Sequence, residues 1–218
     1  MMRKLCVFTG AASGSDPRFA EAAHQLGQIL ASRNLGLVYG GGKSGLMGKI
    51  ADGVIASNGH TTGIIPKFLD NVEIAHPGLS VLHVIDTMHE RKNMMYDIAD
   101  GFIVMPGGLG TLDETFEILT WKQLGLHDKP IVLVNIDGYW DPLHRLLRHM
   151  SAENYIKAQT YTVIPEAEKL GPATITCNSV EACASTAKIF FWTPCKIVMP
   201  GDETPSYSVA KDGSVKKI

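Results

Sequence analysis

Gly101-Phe102-Ile103-Val104-Met105-Pro106-Gly107-Gly108-Leu109-Gly110-Thr111-Leu112-Asp113-Glu114 decides the fold of this chain. Four apolar residues in unbroken succession, closed by Pro106, describe a strand buried on both faces, as in the middle of a parallel sheet. The three glycines that follow permit an unusual backbone path. Thr111-x-x-Glu114 then carries the pattern of a helix opening with a capping box. A buried strand running through glycines into a helix is the repeating unit of a doubly wound fold.

Working outward, the same alternation recurs. Upstream, Leu5–Phe8, Leu35–Tyr39, Thr61–Ile65 and Val81–Ile85 read as strands, and Ile131–Asn135 follows downstream. Helical spacing appears from Pro17 to about Ser32 through Ala20, Ala23, Leu26 and Leu30, from Leu46 to about Ser57, over Thr87–Ile98 and over Thr111–Leu124. Pro66–Ser80 lacks periodicity and reads as a long loop. Right-handed crossovers then predict a single-domain, Rossmann-like α/β fold with a mainly parallel sheet and helices on both faces. Its domain is expected over residues 1–200. Ser179–Ile189 could add a helix and Lys196–Met199 a short strand, while polar 201–218 reads as a flexible tail.

Composition narrows the function. The 218 residues are 45% hydrophobic and 19% charged, with a formal charge of -2. That balance suits a globular core and argues against nucleic acid as a partner, since neutralising a phosphate backbone needs a basic excess. The apolar run after Met1-Met2-Arg3-Lys4 stops at Thr9-Gly10, too short for a signal peptide, and no run reaches membrane-spanning length. Four cysteines without C-x-x-C spacing suit free thiols in the cytoplasm. The eight histidines form no H-E-x-x-H pattern, so neither metal nor cofactor is expected.

Ligands of doubly wound folds bind beyond the carboxyl ends of the strands, where both glycine loops fall. Gly40-Gly41-Gly42-Lys43-Ser44-Gly45 fits G-x-G-x-x-G, but Gly59–Pro66 offers no acidic residue for a dinucleotide ribose. It also fails as a phosphate-binding P-loop, because Leu37 stands where that motif needs glycine. Two readings stand: a close-approach site for a ligand, or a tight turn that binds nothing. At Pro106–Glu114, backbone amides and the Thr111 hydroxyl could hold a phosphate at the positive end of a helix. There too a plain reading competes, with Glu114 serving only to cap.

Met88-His89-Glu90-Arg91-Lys92 taken together with Pro106–Glu114 resembles the LOG family of cytokinin riboside 5′-monophosphate phosphoribohydrolases. Tyr39–Gly42, Gly45-Leu46-Met47-Gly48 and Thr120–His127 match as well, so the similarity spans roughly residues 3–150. The resemblance implies Arg91 and Glu114 as the catalytic pair. It implies a nucleotide site lined by Lys92, Gly107, Gly108, Leu109, Gly110, Thr111 and Thr120, with Gly41, Gly42 and Ser13 nearby and Glu73 reaching in from the long loop. The substrate implied is a nucleoside 5′-monophosphate carrying an adenine-type base. Asp97, Asp113 and Glu117 remain candidates for an acid that protonates the departing base. A homodimer or larger homo-oligomer is implied too; apolar Phe116, Ile118, Leu119 and Trp121 could pack on a mate or bury the helix within its own chain. Two rivals remain open: a general AMP nucleosidase, and a non-catalytic nucleotide or cofactor carrier of the same fold.

Overall fold

The computed structural model describes residues 2–70, 74–156, 162–164, 174–177, 195–198, 207–209 and 215–217. The chain divides into two compact units, Met1–Thr115 and Phe116–Ile218.

In the first unit β1 (Lys4–Phe8), β2 (Gly36–Tyr39), β3 (Thr61–Pro66), β4 (Val81–Ile85) and β5 (Gly101–Val104) lie side by side in the order β5-β1-β2-β3-β4. Every pairing among them is parallel. Residues of β1, β2, β3 and β5 are almost all buried, in keeping with their continuous apolar composition. β4 is the edge and leaves Val81, Leu82 and Val84 exposed. Helices α1 (Pro17–Ser32) and α2 (Gly45–Ala56) follow β1 and β2, and α3 (Lys67–Asp70) is a single turn after β3. The chain steps outward from β1 to β4, then returns through α4 (Met88–Ile98) to β5 on the far side of β1. With right-handed crossovers that reversal puts α4 on the face opposite α1 and α2. It also makes the carboxyl ends of β1 and β5 the switch point, where such sheets open a crevice. Gly10 N–H and the Thr9 hydroxyl both donate to the Pro106 carbonyl there, at 3.1 and 3.0 Å, tying the two loops together.

α1 starts as its residues predict: Asp16 caps it through the Arg18 amide at 2.9 Å, and Pro17 takes a first-turn position where its missing N–H costs nothing. It buries Ala23, Leu26, Gly27 and Leu30 and packs along α2.

The second unit begins within α5 (Leu109–Gln123) and continues through β6 (Ile131–Val134) to α6 (Asp141–Ala152). α6 has no counterpart in the sequence reading. Its signals were Asp141-Pro142 in the first turn and Leu143 and Leu147, both buried, four residues apart. Asn135 braces its start, accepting from Trp140 N–H at 2.6 Å and donating to Asp141 Oδ1 at 2.7 Å. β7 (Thr162–Ile164) pairs parallel with β6, and β8 (Thr174–Cys177), β9 (Cys195–Val198), β10 (Tyr207–Val209) and β11 (Val215–Lys217) extend the sheet of this unit. β9 meets the strand expected at Lys196–Met199 within a residue. The helix expected over Ser179–Ile189 lies outside the described residues. So does most of 201–218, of which the two short strands are described.

His127, 8% exposed, holds the end of α5 in one tautomer. Its Nδ1 accepts from Lys129 N–H at 3.1 Å, so the proton sits on Nε2, which donates to the Ile118 carbonyl at 2.9 Å. Burial first, then the nearby Lys122 and Lys129, pull its pKa below the usual histidine value, against the opposing pull of the Ile118 carbonyl and Asp128. Burial and then Arg148 do the same to His144, with Asp141 opposing. Well above pH ~6.5 both rings are neutral in either state and their contribution is complete. As pH falls below that value the unfolded chain takes up protons first, so stability is lost until the folded-state pKa values are passed. Melting temperature should therefore decline from about pH 6.5 toward 5. The decline should be shallower in His127→Gln, and equal slopes in the two proteins would remove His127 from this account.

Candidate active site

The site is built at the end of β5. α5 begins at Leu109, two residues before the start expected from sequence, because the Gly108 carbonyl already accepts a helical bond from Leu112 N–H at 3.0 Å. Thr111 thus lies inside the helix and cannot be its cap, which corrects the capping-box reading of Thr111 and Glu114. Glu114 correspondingly stands in the second turn, where the favourable field of the helix terminus has faded. The capping box instead forms at α4. The Thr87 hydroxyl accepts from Glu90 N–H at 3.1 Å, and the Glu90 carboxylate accepts from Thr87 N–H at 3.0 Å. Glu90 is thereby committed to the backbone, and Arg91 one residue on turns inward.

Arg91 and Glu114 are 7% and 8% exposed. Burying such groups is costly unless they are paired, and these two face each other with Nη1 and Oε1 3.5 Å apart. The guanidinium is held from behind: Nε donates to the Ile64 carbonyl of β3 at 3.1 Å, and Nη1 touches Met88 Sδ at 3.8 Å. Its remaining edge lies against Gly40, where any Cβ would collide with Nη2. Beside this pair Lys92 Nζ bonds Asp113 at 3.1 Å, so consecutive residues of α4 are matched to consecutive residues at the start of α5.

The glycines of the loop divide by what they face. A Cβ on Gly107 would collide with the buried Thr111 hydroxyl, so the fold itself demands glycine there. Gly108 and Gly110 have no described atom within 4 Å of a would-be Cβ, and neither has a positive φ. Gly108 stands at the N-cap, where glycine is favoured over alanine, whereas nothing among the described residues requires glycine at Gly110, inside the helix, where it costs about 0.5–1 kcal/mol relative to alanine. A ligand approaching the amides of Leu109, Gly110 and Thr111 would require it. Leu109 itself is 85% exposed.

The other glycine loop is differently employed. At the start of α2 the amides of Leu46 and Met47 both donate to the Gly10 carbonyl, at 3.0 and 3.3 Å. The first turn of that helix is therefore engaged by the chain itself. Gly41 and Gly42 belong to a turn stitched to the long loop, with Lys43 N–H bonding Ile74 O and His76 N–H bonding Gly41 O. Ser13 is exposed in the loop after β1, and Thr120 is exposed on α5 in the second unit. Glu73 lies outside the described residues. Sequence reasoning missed the Ile64 carbonyl and Gly40 as supports of Arg91. A backbone acceptor leaves no signature in a sequence, and Gly40 was visible only as one more glycine of the loop.

Folds of this kind bind ligands beyond the carboxyl ends of their strands, where the glycine-opened helix start and the buried carboxylate–guanidinium pair lie. Residues 47–172 match the model of a family described as "Possible lysine decarboxylase". The chain is 46% identical over 164 residues to a probable cytokinin riboside 5′-monophosphate phosphoribohydrolase, LOGL1, of Oryza sativa subsp. japonica, covering 75% of this chain and 74% of that one. It is 42% identical over 159 residues to the cytokinin riboside 5′-monophosphate phosphoribohydrolase of Rhodococcoides fascians, covering 72% and 80%. The chain belongs to this family, the LOG family. Among solved structures, the molybdenum cofactor binding protein of Rippkaea orientalis superposes with a TM-score of 0.59 at 24% identity, over 77% of this chain and 92% of that one. The Moco carrier protein of Chlamydomonas reinhardtii gives 0.58 at 18% identity over the same shares. These two likenesses establish the fold.

Proposed function

We propose that the chain hydrolyses the N-glycosidic bond of nucleoside 5′-monophosphates bearing an adenine-type base, cytokinin riboside monophosphates among them, giving free base and ribose 5-phosphate. The observation that carries this reading is the buried Arg91–Glu114 pair beside a helix start whose Gly108 and Gly110 face open space. The names of the relatives agree with it.

In this mechanism the 5′-phosphate rests on the amides at the start of α5, with the Thr111 hydroxyl and Lys92 beside it. The ribose then falls about one helical turn further along, at Glu114. As the bond from C1′ to the base nitrogen breaks, its electron pair leaves with the base and positive charge develops on the ribose. The Glu114 carboxylate stabilises that charge and takes a proton from the water that adds to C1′. Arg91 orients the sugar hydroxyls and keeps Glu114 aligned. The departing base takes its proton from solvent and Glu114 returns the one it gained to solvent, so one water is consumed for each base released. Gly41, Gly42 and Ser13 are proposed to complete the surroundings of the nucleotide, while Thr120 and Glu73 keep only the part that the family resemblance implies for them.

We further propose a homodimer or larger homo-oligomer; Ile118 and Leu119 of α5 are buried in the chain itself rather than offered to a mate, and exposed Leu109 and the edge strand β4 are what favour it. Within it residues 1–200 form the nucleotide-binding domain and 201–218 a tail. No helix among the described residues is long and apolar enough to cross a membrane. A cytoplasmic location is likewise a proposal, resting on cysteine usage.

The test is chromatographic. Purified protein is incubated with AMP, isopentenyladenosine monophosphate and the matching nucleosides, and free base and ribose 5-phosphate are measured. Base should come from the monophosphates, with nucleosides losing turnover on the order of a hundredfold or more because phosphate binding positions the reacting centre. The ratio between the two monophosphates ranks cytokinin against plain adenine substrates. Tight binding of nucleotide without any base release would replace this reading with that of a carrier.

A further inference from the structure

The long loop after α3 returns across the carboxyl ends of the strands as a short strap. Ala75 forms an antiparallel bridge with Gly42, flanked by Lys43 N–H to Ile74 O at 3.1 Å and His76 N–H to Gly41 O at 2.9 Å. The His76 side chain then fastens this strap to α2. Its Nδ1 accepts from Gly78 N–H at 3.1 Å, which places the ring proton on Nε2, and Nε2 donates to Asp52 Oδ1 at 3.1 Å. His76 therefore uses its backbone amide and both ring nitrogens to join three parts of the first unit: the strap, the glycine turn and α2.

What lies behind that turn gives the clamp its meaning. Gly41 adopts φ +82°, a left-handed conformation, and its backbone packs against the Gly63–Ile64 peptide of β3. The Ile64 carbonyl is the acceptor for Arg91 Nε, and Gly40, the neighbour of Gly41, is the surface on which Arg91 Nη2 rests. Both supports of the guanidinium thus adjoin the residue whose carbonyl His76 grips. An arginine has several soft torsions, so a wall that shifts by a fraction of an ångström lets its planar head swing away from Glu114.

We propose that His76, anchored by Asp52, is a positioning residue for Arg91. It clamps the strap over the glycine turn and so holds the wall that aims the guanidinium at Glu114 and the sugar. This rests on the role given to Arg91 above, but its structural half can be measured without any substrate.

The experiment compares wild type with His76→Ala, Asp52→Ala, the double variant and His76→Gln, whose amide nitrogen can reach Asp52 in place of Nε2. The first readout is the Arg91 Nε–H resonance, assigned by its loss in Arg91→Lys. Buried and bonded to Ile64 O, it should exchange slowly in wild type and on the order of tenfold faster in both alanine variants. The second readout is kinetic: kcat should fall about tenfold with KM changed less than about threefold, since phosphate binding at α5 is untouched. The double variant should be no worse than either single one, and His76→Gln should recover most of the loss. An unchanged Arg91 resonance in both alanine variants overturns the proposal. So does a lowered melting temperature with kcat per folded enzyme unaltered, which would make the clamp purely structural. Wild type that releases no base from any nucleotide would remove the proposed reaction, and the resonance would still decide the clamp.

Discussion

Glu114→Gln should lower kcat on the order of a thousandfold while AMP still binds within a few-fold of the wild-type affinity. Glutamine keeps the shape of the side chain and can still accept from Arg91, so packing around a residue only 8% exposed is preserved. What it removes is the negative charge proposed to face the developing ribosyl cation. The phosphate loop lies a turn away and should bind as before. Arg91→Ala differs in kind. It deletes the partner of a buried carboxylate, and breaking such a pair costs about 3–5 kcal/mol when fully buried. Loss of both melting temperature and activity is expected there, so the glutamine variant is the cleaner measurement of catalysis. Melting temperature and AMP titration recorded beside kcat separate the two effects. A Glu114→Gln protein that keeps more than about a tenth of wild-type turnover would sink the assignment.

The second large effect concerns the loop glycines, where at Gly110 stability and binding should move in opposite directions. Gly110→Ala, and Gly108→Ala beside it, place a methyl group in space that no described atom occupies. At position 110, inside the helix, the folded protein should be up to about 1 kcal/mol more stable, while alanine at the N-cap position 108 should cost at most about 1 kcal/mol. The same methyl group stands where a phosphate would approach the amides, so KM for a monophosphate should rise on the order of a hundredfold. Gly107→Ala should behave in the reverse way at the first step. Its Cβ collides with the buried Thr111 hydroxyl and crowds the Gly10 amide, so the melting temperature falls before binding is even considered. Thermal melts and monophosphate KM values on the three variants test the division. Unaltered KM in both Gly108→Ala and Gly110→Ala would remove the phosphate from the start of α5.

Much of this was legible in the residues alone. Phe102–Val104 read as a buried strand, and the alternation of such runs with helical spacing implied a mainly parallel, doubly wound sheet, because periodicity is a local property of the chain. Arg91 and Glu114 stood out only through the resemblance to the LOG family, since spacing alone favoured a cap for Glu114 and an exposed helix face for Arg91. α6 went unread because its cues were short and mixed with histidine and arginine.

Sequence could not say which of two similar patterns would become a capping box. Thr87–Glu90 and Thr111–Glu114 carry the same spacing, and only the first caps. The choice depended on where each helix begins. At α5 that was decided by Gly108, whose carbonyl takes the first helical bond two residues early and carries Glu114 into the second turn to meet Arg91. Nor could a sequence separate the two glycine loops, since whether a helix start is already engaged depends on a carbonyl from elsewhere in the chain. Gly10 engages the start of α2 in this way, whereas the glycines at the start of α5 face open space. Local pattern determined the elements, and the resemblance carried by the motifs supplied the candidate residues. Tertiary structure alone decided which carboxylate was buried opposite which cation, because that pairing joins residues 23 positions apart through a contact no periodicity encodes.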